Sequence, residues 1–143
     1  MSDSTSSPKP KVLVADDNAD AAQTLALILK MSGYDVHLAI SGREALAVAR
    51  REQPDAMFLD IGMPDMSGYE VAASVRREAW GEGALLVAVT GWGQPNDKQQ
   101  AKAAGFNHHL TKPVDLEHVE QLLAAFSKTL ESRYGSEDMG RAG

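Results

Sequence analysis

The stretch Ala56-Met57-Phe58-Leu59-Asp60-Ile61-Gly62-Met63-Pro64 decides the fold. Four apolar residues run straight into a carboxylate, so both faces of the segment are apolar and it reads as a short, fully buried strand. Gly62 and Pro64 end it, the first through backbone freedom and the second for want of a ladder donor. Asp60 therefore closes a central strand at its carboxyl end, where open α/β sheets place their ligand sites. A lone Asp there could equally be a helix cap or a solvated turn acid. What decides between these readings is how the other strands end.

Working outward, residues 11–15 (Lys-Val-Leu-Val-Ala) form a second apolar run, closed by Asp16-Asp17. Asn18 or Asp17 can cap a helix over about 18–32, whose Ala22, Leu25, Ala26 and Leu29 make a core-facing stripe; Gly33 stops it. A strand over 35–40 places Val36, Leu38 and Ile40 on one face. A helix over 42–52 follows, opened by Ser41-Gly42, pointing Ala45, Leu46 and Ala49 inward and ending before Pro54. Beyond the Asp60 strand, residues 64–68 form a loop and turn. A helix over about 67–79 then packs through Val71, Ala72 and Val75. Residues 84–90 make a strand that ends in Thr90, and a polar helix covers about 95–104. A last strand over 106–111 meets Lys112-Pro113, and Asp115 can cap a final helix carrying Leu116, Val119, Leu122, Leu123 and Phe126. Residues 1–10 read as a disordered leader, 11–126 as the folded domain, and 127–143 as the end of the last helix and a flexible tail, solvated from about residue 135.

Five strands alternating with five helices through short connections argue a doubly wound α/β fold, a parallel sheet covered on both faces with right-handed crossovers. The composition agrees. A chain of 143 residues with 43% apolar and 24% charged content is one ordinary globular domain. The formal charge of 14 − 20 = −6 argues against a nucleic-acid or anionic-membrane footprint. With no cysteine, disulfides, thiol catalysis and cysteine metal sites are excluded. No apolar run approaches the ~20 residues of a membrane span, and the leader has no signal-peptide core, so a cytoplasmic location is expected.

In a parallel sheet every carboxyl end lies on one edge, so Asp16, Asp17, Asp60, Thr90 and Lys112 converge. Two carboxylates ~4.5 Å apart repel by roughly 4 kcal/mol at an effective dielectric of ~20. Lys112 alone cannot offset three acids. A hard divalent cation can, and a small, open oxygen site suits Mg²⁺. A carboxylate beside Mg²⁺, an ammonium and a hydroxyl is equipped for phosphoryl transfer, the carboxylate attacking in line while the cations neutralise the equatorial oxygens. His108-His109 cannot easily share an ion, since adjacent strand residues face opposite ways. Trp92 is either a loop packing residue or a lid over the site.

At this point the chain resembles a response-regulator receiver domain of two-component signalling. The resemblance rests on Val-Ala-Asp-Asp-Asn at 14–18, Leu-Asp-Ile-Gly-Met-Pro-Asp-Met-Ser-Gly-Tyr-Glu at 59–70, Val-Thr-Gly at 89–91 and Thr-Lys-Pro-Val-Asp at 111–115. It implies a five-stranded (βα)5 flavodoxin-like fold with strand order 2-1-3-4-5. It implies that Asp60 is the phosphoacceptor and that Asp16, Asp17, Asp60 and the Gly62 carbonyl hold Mg²⁺. Thr90 would bond the phosphoryl group, Lys112 would pair with it, and the Lys112–Pro113 bond would be cis. The implied donor is a histidine kinase or histidine phosphotransfer protein. The implied output is a protein contact through the fourth helix, fifth strand and fifth helix, with neither DNA nor membrane involved.

Two positions depart from the commonest pattern of the family. His109 stands where many receivers carry an aromatic switch residue, and Gly62 offers no side chain to steer a hydrolytic water. An imidazole turning inward should favour its neutral form, so weak, pH-sensitive coupling through Thr90 and His109 is expected. A free-standing receiver and the carboxy-terminal receiver of a hybrid sensor kinase both fit the motifs; Met1 and the polar leader favour the former. A haloacid-dehalogenase-type phosphatase fits less well, because neither Asp16-Asp17-Asn18-Ala19 nor Asp60-Ile61-Gly62 places an acid two residues after a nucleophile.

Overall fold

The computed structural model describes residues 9–91 and 98–142. The chain alternates β1 (Lys11–Ala15), α1 (Ala19–Met31), β2 (Asp35–Ala39), α2 (Gly42–Glu52), β3 (Ala56–Asp60), α3 (Gly68–Arg76), a short 3-10 turn (Ala79–Gly81), β4 (Leu85–Thr90), α4 (Lys98–Ala104), β5 (His108–Thr111) and α5 (Leu116–Ala142). The five strands form one parallel sheet in the order β2-β1-β3-β4-β5. That is the order the resemblance implies.

The side-chain alternation of the strands divides the core in two. Met57 and Leu59 of β3, with Leu13 and Leu86, pack under α2, α3 and α4. Phe58, with Val12, Val14 and Val87, packs under α1 and α5. Every residue of β3 and β4 is buried, which is why those two strands read as unbroken apolar runs. Both outer strands, β2 and β5, are only partly covered.

Local signals set most helix ends. The Asn18 side chain accepts from the Ala21 amide at 3.1 Å and so caps α1. Ser41 accepts from the Glu44 amide to cap α2. Ser67 and Glu70 form a reciprocal capping box on α3. Gly33 follows α1 at φ +100°, a left-handed conformation that favours glycine.

Several boundaries differ from the sequence reading. Strand β2 stops at Ala39, and Ile40 is 52% exposed rather than inward, because the chain leaves the edge of the sheet there and the Ile40 amide turns to the Glu44 carboxylate at 2.8 Å. Helix α3 ends at Arg76 rather than near 79, since the Arg76 side chain claims the carbonyls of Gly81, Glu82 and Ala84. Strand β5 starts at His108. Phe106 goes into the core instead, and the Asn107 side chain accepts from the Leu86 amide at 2.8 Å.

Helix α5 runs to Ala142 where a tail was expected from about residue 135. No proline interrupts that stretch, and each glycine costs only about 1 kcal/mol in a helix. The last two residues of the expected leader also belong to the folded unit. Pro10 is buried, and Lys9 donates to the Ser32 carbonyl at 2.6 Å while its ammonium lies 4.9 Å from the Tyr34 ring centre. The start of the expected fourth helix (95–97) and Trp92 lie outside the described residues. Among the described residues, no helix is long and apolar enough to cross a membrane.

Candidate functional site

The carboxyl edge of the sheet gathers the residues that the sequence singled out. Asp16 follows β1 and is buried; Asp17, next to it, is exposed. Asp60 ends β3 at 4% exposure, and Thr90 ends β4 fully enclosed. Each of Asp16, Asp17 and Asp60 offers a carboxylate oxygen, and these oxygens lie within 4.8 Å of one another. Lys112 reaches in from beyond β5. Its Nζ is 2.7 Å from Asp16 Oδ2 and 3.6 Å from Asp60 Oδ2. The Lys112–Pro113 peptide bond is cis, as the resemblance implies.

Backbone contacts aim these groups. Asp16 Oδ1 accepts from the Asn18 amide at 2.9 Å, folding the acidic turn back on itself. The Lys112 amide donates to the Thr90 carbonyl at 2.8 Å, which ties the ends of β4 and β5 together. Asp60 Oδ1 accepts from the Gly62 amide at 2.9 Å. A Cβ on Gly68 would lie 2.7 Å from the Asp60 carbonyl oxygen, so only glycine lets the start of α3 approach the end of β3 this closely.

The electrostatics match three acids sharing one cation. Burial pushes the Asp60 carboxyl up to about 6, and the Asp16 charge adds to that, while the Gly62 amide and Lys112 work in the opposite direction. Burial also opposes the Lys112 charge. Asp16 and Asp60 outweigh it and hold the ammonium above its ordinary range. One ammonium against three carboxylates leaves an excess of two negative charges in a ring of hard oxygen donors. That donor set fits Mg²⁺ better than a soft or nitrogen-seeking metal.

Two expected site residues behave differently from the rest. The Thr90 hydroxyl donates to the Leu110 carbonyl at 3.4 Å, so in this structure it bonds towards β5. His109, on β5, is half-buried, and its Nε2 is enclosed without a hydrogen-bond partner among the described residues. Burial, and then the Lys98 charge on α4, hold its pKa below the ordinary histidine value. Beside the acids an apolar cleft of about 420 Å³ opens between α1 and the start of α5, floored by Val14, Phe58 and Val89.

The sequence reading missed Asp65. Its carboxylate accepts from the Gly42 amide (Oδ1, 2.9 Å) and from the Arg43 amide (Oδ2, 2.9 Å). Local sequence carries no signal for this, because the donors belong to a different connection of the chain, 22 and 23 residues away.

A parallel sheet in this order, with an acid cluster and a lysine at its carboxyl edge, defines a class. The sequence profile of the response regulator receiver domain matches residues 12–124. The chain belongs to that family of two-component signalling modules, whose members as a class are phosphorylated and use Mg²⁺ at the acidic pocket. It is similar to the protein PilH of Pseudomonas aeruginosa, 33% identical over 107 residues, spanning 75% of this chain and 88% of PilH. It is 35% identical to the DNA-binding transcriptional regulator RpaA of Synechocystis over 115 residues; these cover 80% of this chain but 46% of RpaA. Among solved structures, the receiver domain of sensor histidine kinase PA1611 from Pseudomonas aeruginosa has a TM-score of 0.75 at 25% identity, covering 84% of this chain and 98% of that one. It carries a magnesium ion in its active-site cleft. The receiver domain of Ssk1 from Saccharomyces cerevisiae, solved with the histidine phosphotransfer protein Ypd1, has a TM-score of 0.76 at 26% identity, with coverage of 86% and 92%.

Proposed function

We propose that Asp60 is the phosphoacceptor of a two-component phosphorelay, taking its phosphoryl group from a histidine kinase or histidine phosphotransfer protein in the cytoplasm. The observation that carries this reading is the position of Lys112 Nζ between Asp16 and Asp60 within the three-acid cluster. Asp16, Asp17, Asp60 and the Gly62 carbonyl would hold Mg²⁺, which when bound offsets the acids and the phosphoryl charge. An Asp60 carboxylate oxygen attacks phosphorus, the phosphorus–nitrogen bond of the phosphohistidine breaks, and the electron pair returns to the imidazole. The Lys112 ammonium neutralises charge on the transferring oxygens. Thr90 exchanges its bond to Leu110 for one to the phosphoryl group. Without metal, the Asp60 carboxyl is pushed up to about 6 and is mostly ionised at pH 7; a bound cation favours the ionised, nucleophilic form further.

The output is a contact with a protein partner on the face made by α4, β5 and α5. Helix α4 supports this, since Ala101 is its one buried residue and such a helix is easily displaced. His109 lies on β5 at this face. Its depressed pKa keeps the ring neutral at pH 7, the form that turns inward at least cost. Identical His109 titration curves with and without a phosphoryl mimic would retire that role.

The decisive experiment is incubation with a small acyl phosphate or a phosphohistidine donor. Wild type should acquire one hydroxylamine-labile label that requires Mg²⁺, and Asp60→Asn should acquire none. Labelling of wild type in excess chelator would sink the metal part of the reading. Steady turnover of a generic phosphomonoester would favour a phosphatase instead.

A further inference from the structure

The connection from β3 to α3 carries Gly62, a residue with the greatest backbone freedom, two residues after Asp60 ends the strand. Something must hold this connection in one form. Its deeper residues are fastened by burial, with Ile61 and Met63 both enclosed. Its far end is fastened by the Gly68 amide on the Ile61 carbonyl at 3.4 Å and by the capping box on α3. The Gly62 amide bonds to Asp60 Oδ1, but that is the carboxylate that reacts. It cannot be the fixed point around which the reaction runs. Between these, Asp65 adds a side-chain fastening that involves no reacting group and ties the middle of the loop to another element.

We propose that Asp65 is a positioning residue, whose carboxylate clamps the Gly62-bearing loop to the amino end of α2 and so holds the loop in the form that binds Mg²⁺ and admits the phosphoryl group. This inference rests on the reading of the site given above. The first amides of a helix have no partner within it, and here they are divided between two elements. Asp65 takes those of Gly42 and Arg43, and Ser41 Oγ takes that of Glu44 at 3.1 Å. The positive end of the α2 dipole favours an anion at this place. The two amides hold the Asp65 carboxyl below its ordinary range, so the clamp stays ionised at neutral pH.

The backbones are also in direct contact. A Cβ on Gly42 would sit 2.0 Å from the Met66 carbonyl oxygen and 2.6 Å from Met66 Cβ. Any larger residue at 42 would therefore push the loop away from α2. The clamp thus links two connections at the carboxyl edge, one after β2 and one after β3, and only the second carries implied metal and acceptor groups.

The test compares Asp65→Ala, Asp65→Asn and Ser41→Ala. Asn at 65 can accept from one amide but would turn its NH2 towards the other, so it keeps part of the clamp. Ser41→Ala weakens the same helix end without touching the loop. In metal-free protein, amide exchange of Gly42, Arg43 and residues 61–66 should accelerate in Asp65→Ala, less so in Asp65→Asn. Mg²⁺ affinity by calorimetry should fall about tenfold in Asp65→Ala, the low end of the effect of removing an outer-shell partner, with Asp65→Asn between. Ser41→Ala should lower the melting temperature and leave Mg²⁺ affinity within twofold. A Mg²⁺ affinity of Asp65→Ala or, should that variant not fold, of Asp65→Asn equal to wild type would overturn the proposal. So would an equal loss in Ser41→Ala. If wild type itself neither binds Mg²⁺ nor accepts label, the reading of the site fails and the metal role with it; unchanged exchange at Gly42 and Arg43 would remove the clamp independently.

Discussion

The two edges of the sheet handle buried charge in opposite ways. At the amino edge the Arg76 guanidinium donates to the carbonyls of Gly81, Glu82, Ala84 and Gly105 and to Asn107 Oδ1, at 2.7 to 3.0 Å. Burial disfavours its charge, yet fixed carbonyl dipoles surround it. At the carboxyl edge three acids face one another with a single ammonium between two of them. The amino edge is satisfied by its own fold. The carboxyl edge is left short of positive charge, and that deficit is what a bound cation would relieve. One edge is neutralised within the domain, whereas the other holds a charge imbalance in place.

The comparison can be broken most forcefully at Arg76. Arg76→Ala strips several half-buried carbonyls of their donor at once and should cost about 3 to 4 kcal/mol of stability in urea unfolding. Arg76→Lys, with fewer donors and no planar fork, should lose about half of that. A loss below about 1 kcal/mol for the alanine variant would show that water replaces the guanidinium freely.

Next in size is the cation itself. Mg²⁺ at a hundred times its dissociation constant should stabilise wild type by about 2.7 kcal/mol, and Asp17→Asn should lose most of this gain at the same concentration. Equal melting temperatures with Mg²⁺ and with chelator would contradict a charge deficit at this edge.

Asp60→Asn should reverse the usual cost of altering a buried residue. The folded carboxyl titrates near 6 and its ordinary value is 3.8. Below about pH 4 the group is protonated in both states and contributes nothing. Between about 4 and 6 the folded protein keeps its proton and the unfolded chain loses it, so the stability of wild type falls as pH rises. Above 6 the full penalty is present. Without metal, Asp60→Asn should therefore exceed wild type by about 3 kcal/mol at pH 7, with the advantage fading towards pH 4. A difference that stays constant from pH 4 to 7 would rule out this origin.

The smallest effect sharpens the contrast within the carboxyl edge. Ser67→Ala removes the capping box on α3, close to the Asp60 loop, and should cost about 1 kcal/mol, measured as a shift in the urea midpoint. A larger loss would mean that the loop after Asp60, and not only α3, depends on the cap.

Much of the fold was legible because a parallel strand covered on both faces leaves an unmistakable trace. Residues 56–60 and 85–90 are apolar on both faces until a polar residue ends each run, and the structure buries all of them. The edge strands were less legible, for the same reason inverted. Residues 36–40 alternate, and nothing local says that the chain departs after Ala39 and leaves Ile40 exposed. Helix α3 was read too long because its end is set by the Arg76 side chain, whose partners lie up to 31 residues away.

By itself, then, the sequence determined the alternation of elements and the convergence of Asp16, Asp17, Asp60, Thr90 and Lys112, because strand ends in a parallel sheet share one edge whatever the details. Only the tertiary structure decided how those groups share their bonds. It put Lys112 closer to Asp16 than to Asp60, turned the Thr90 hydroxyl towards Leu110, and brought Asp65 onto the first amides of α2. Such pairings depend on distances of a few tenths of an ångström between segments remote in the chain. Periodicity and residue type carry no record of those distances, which packing alone sets.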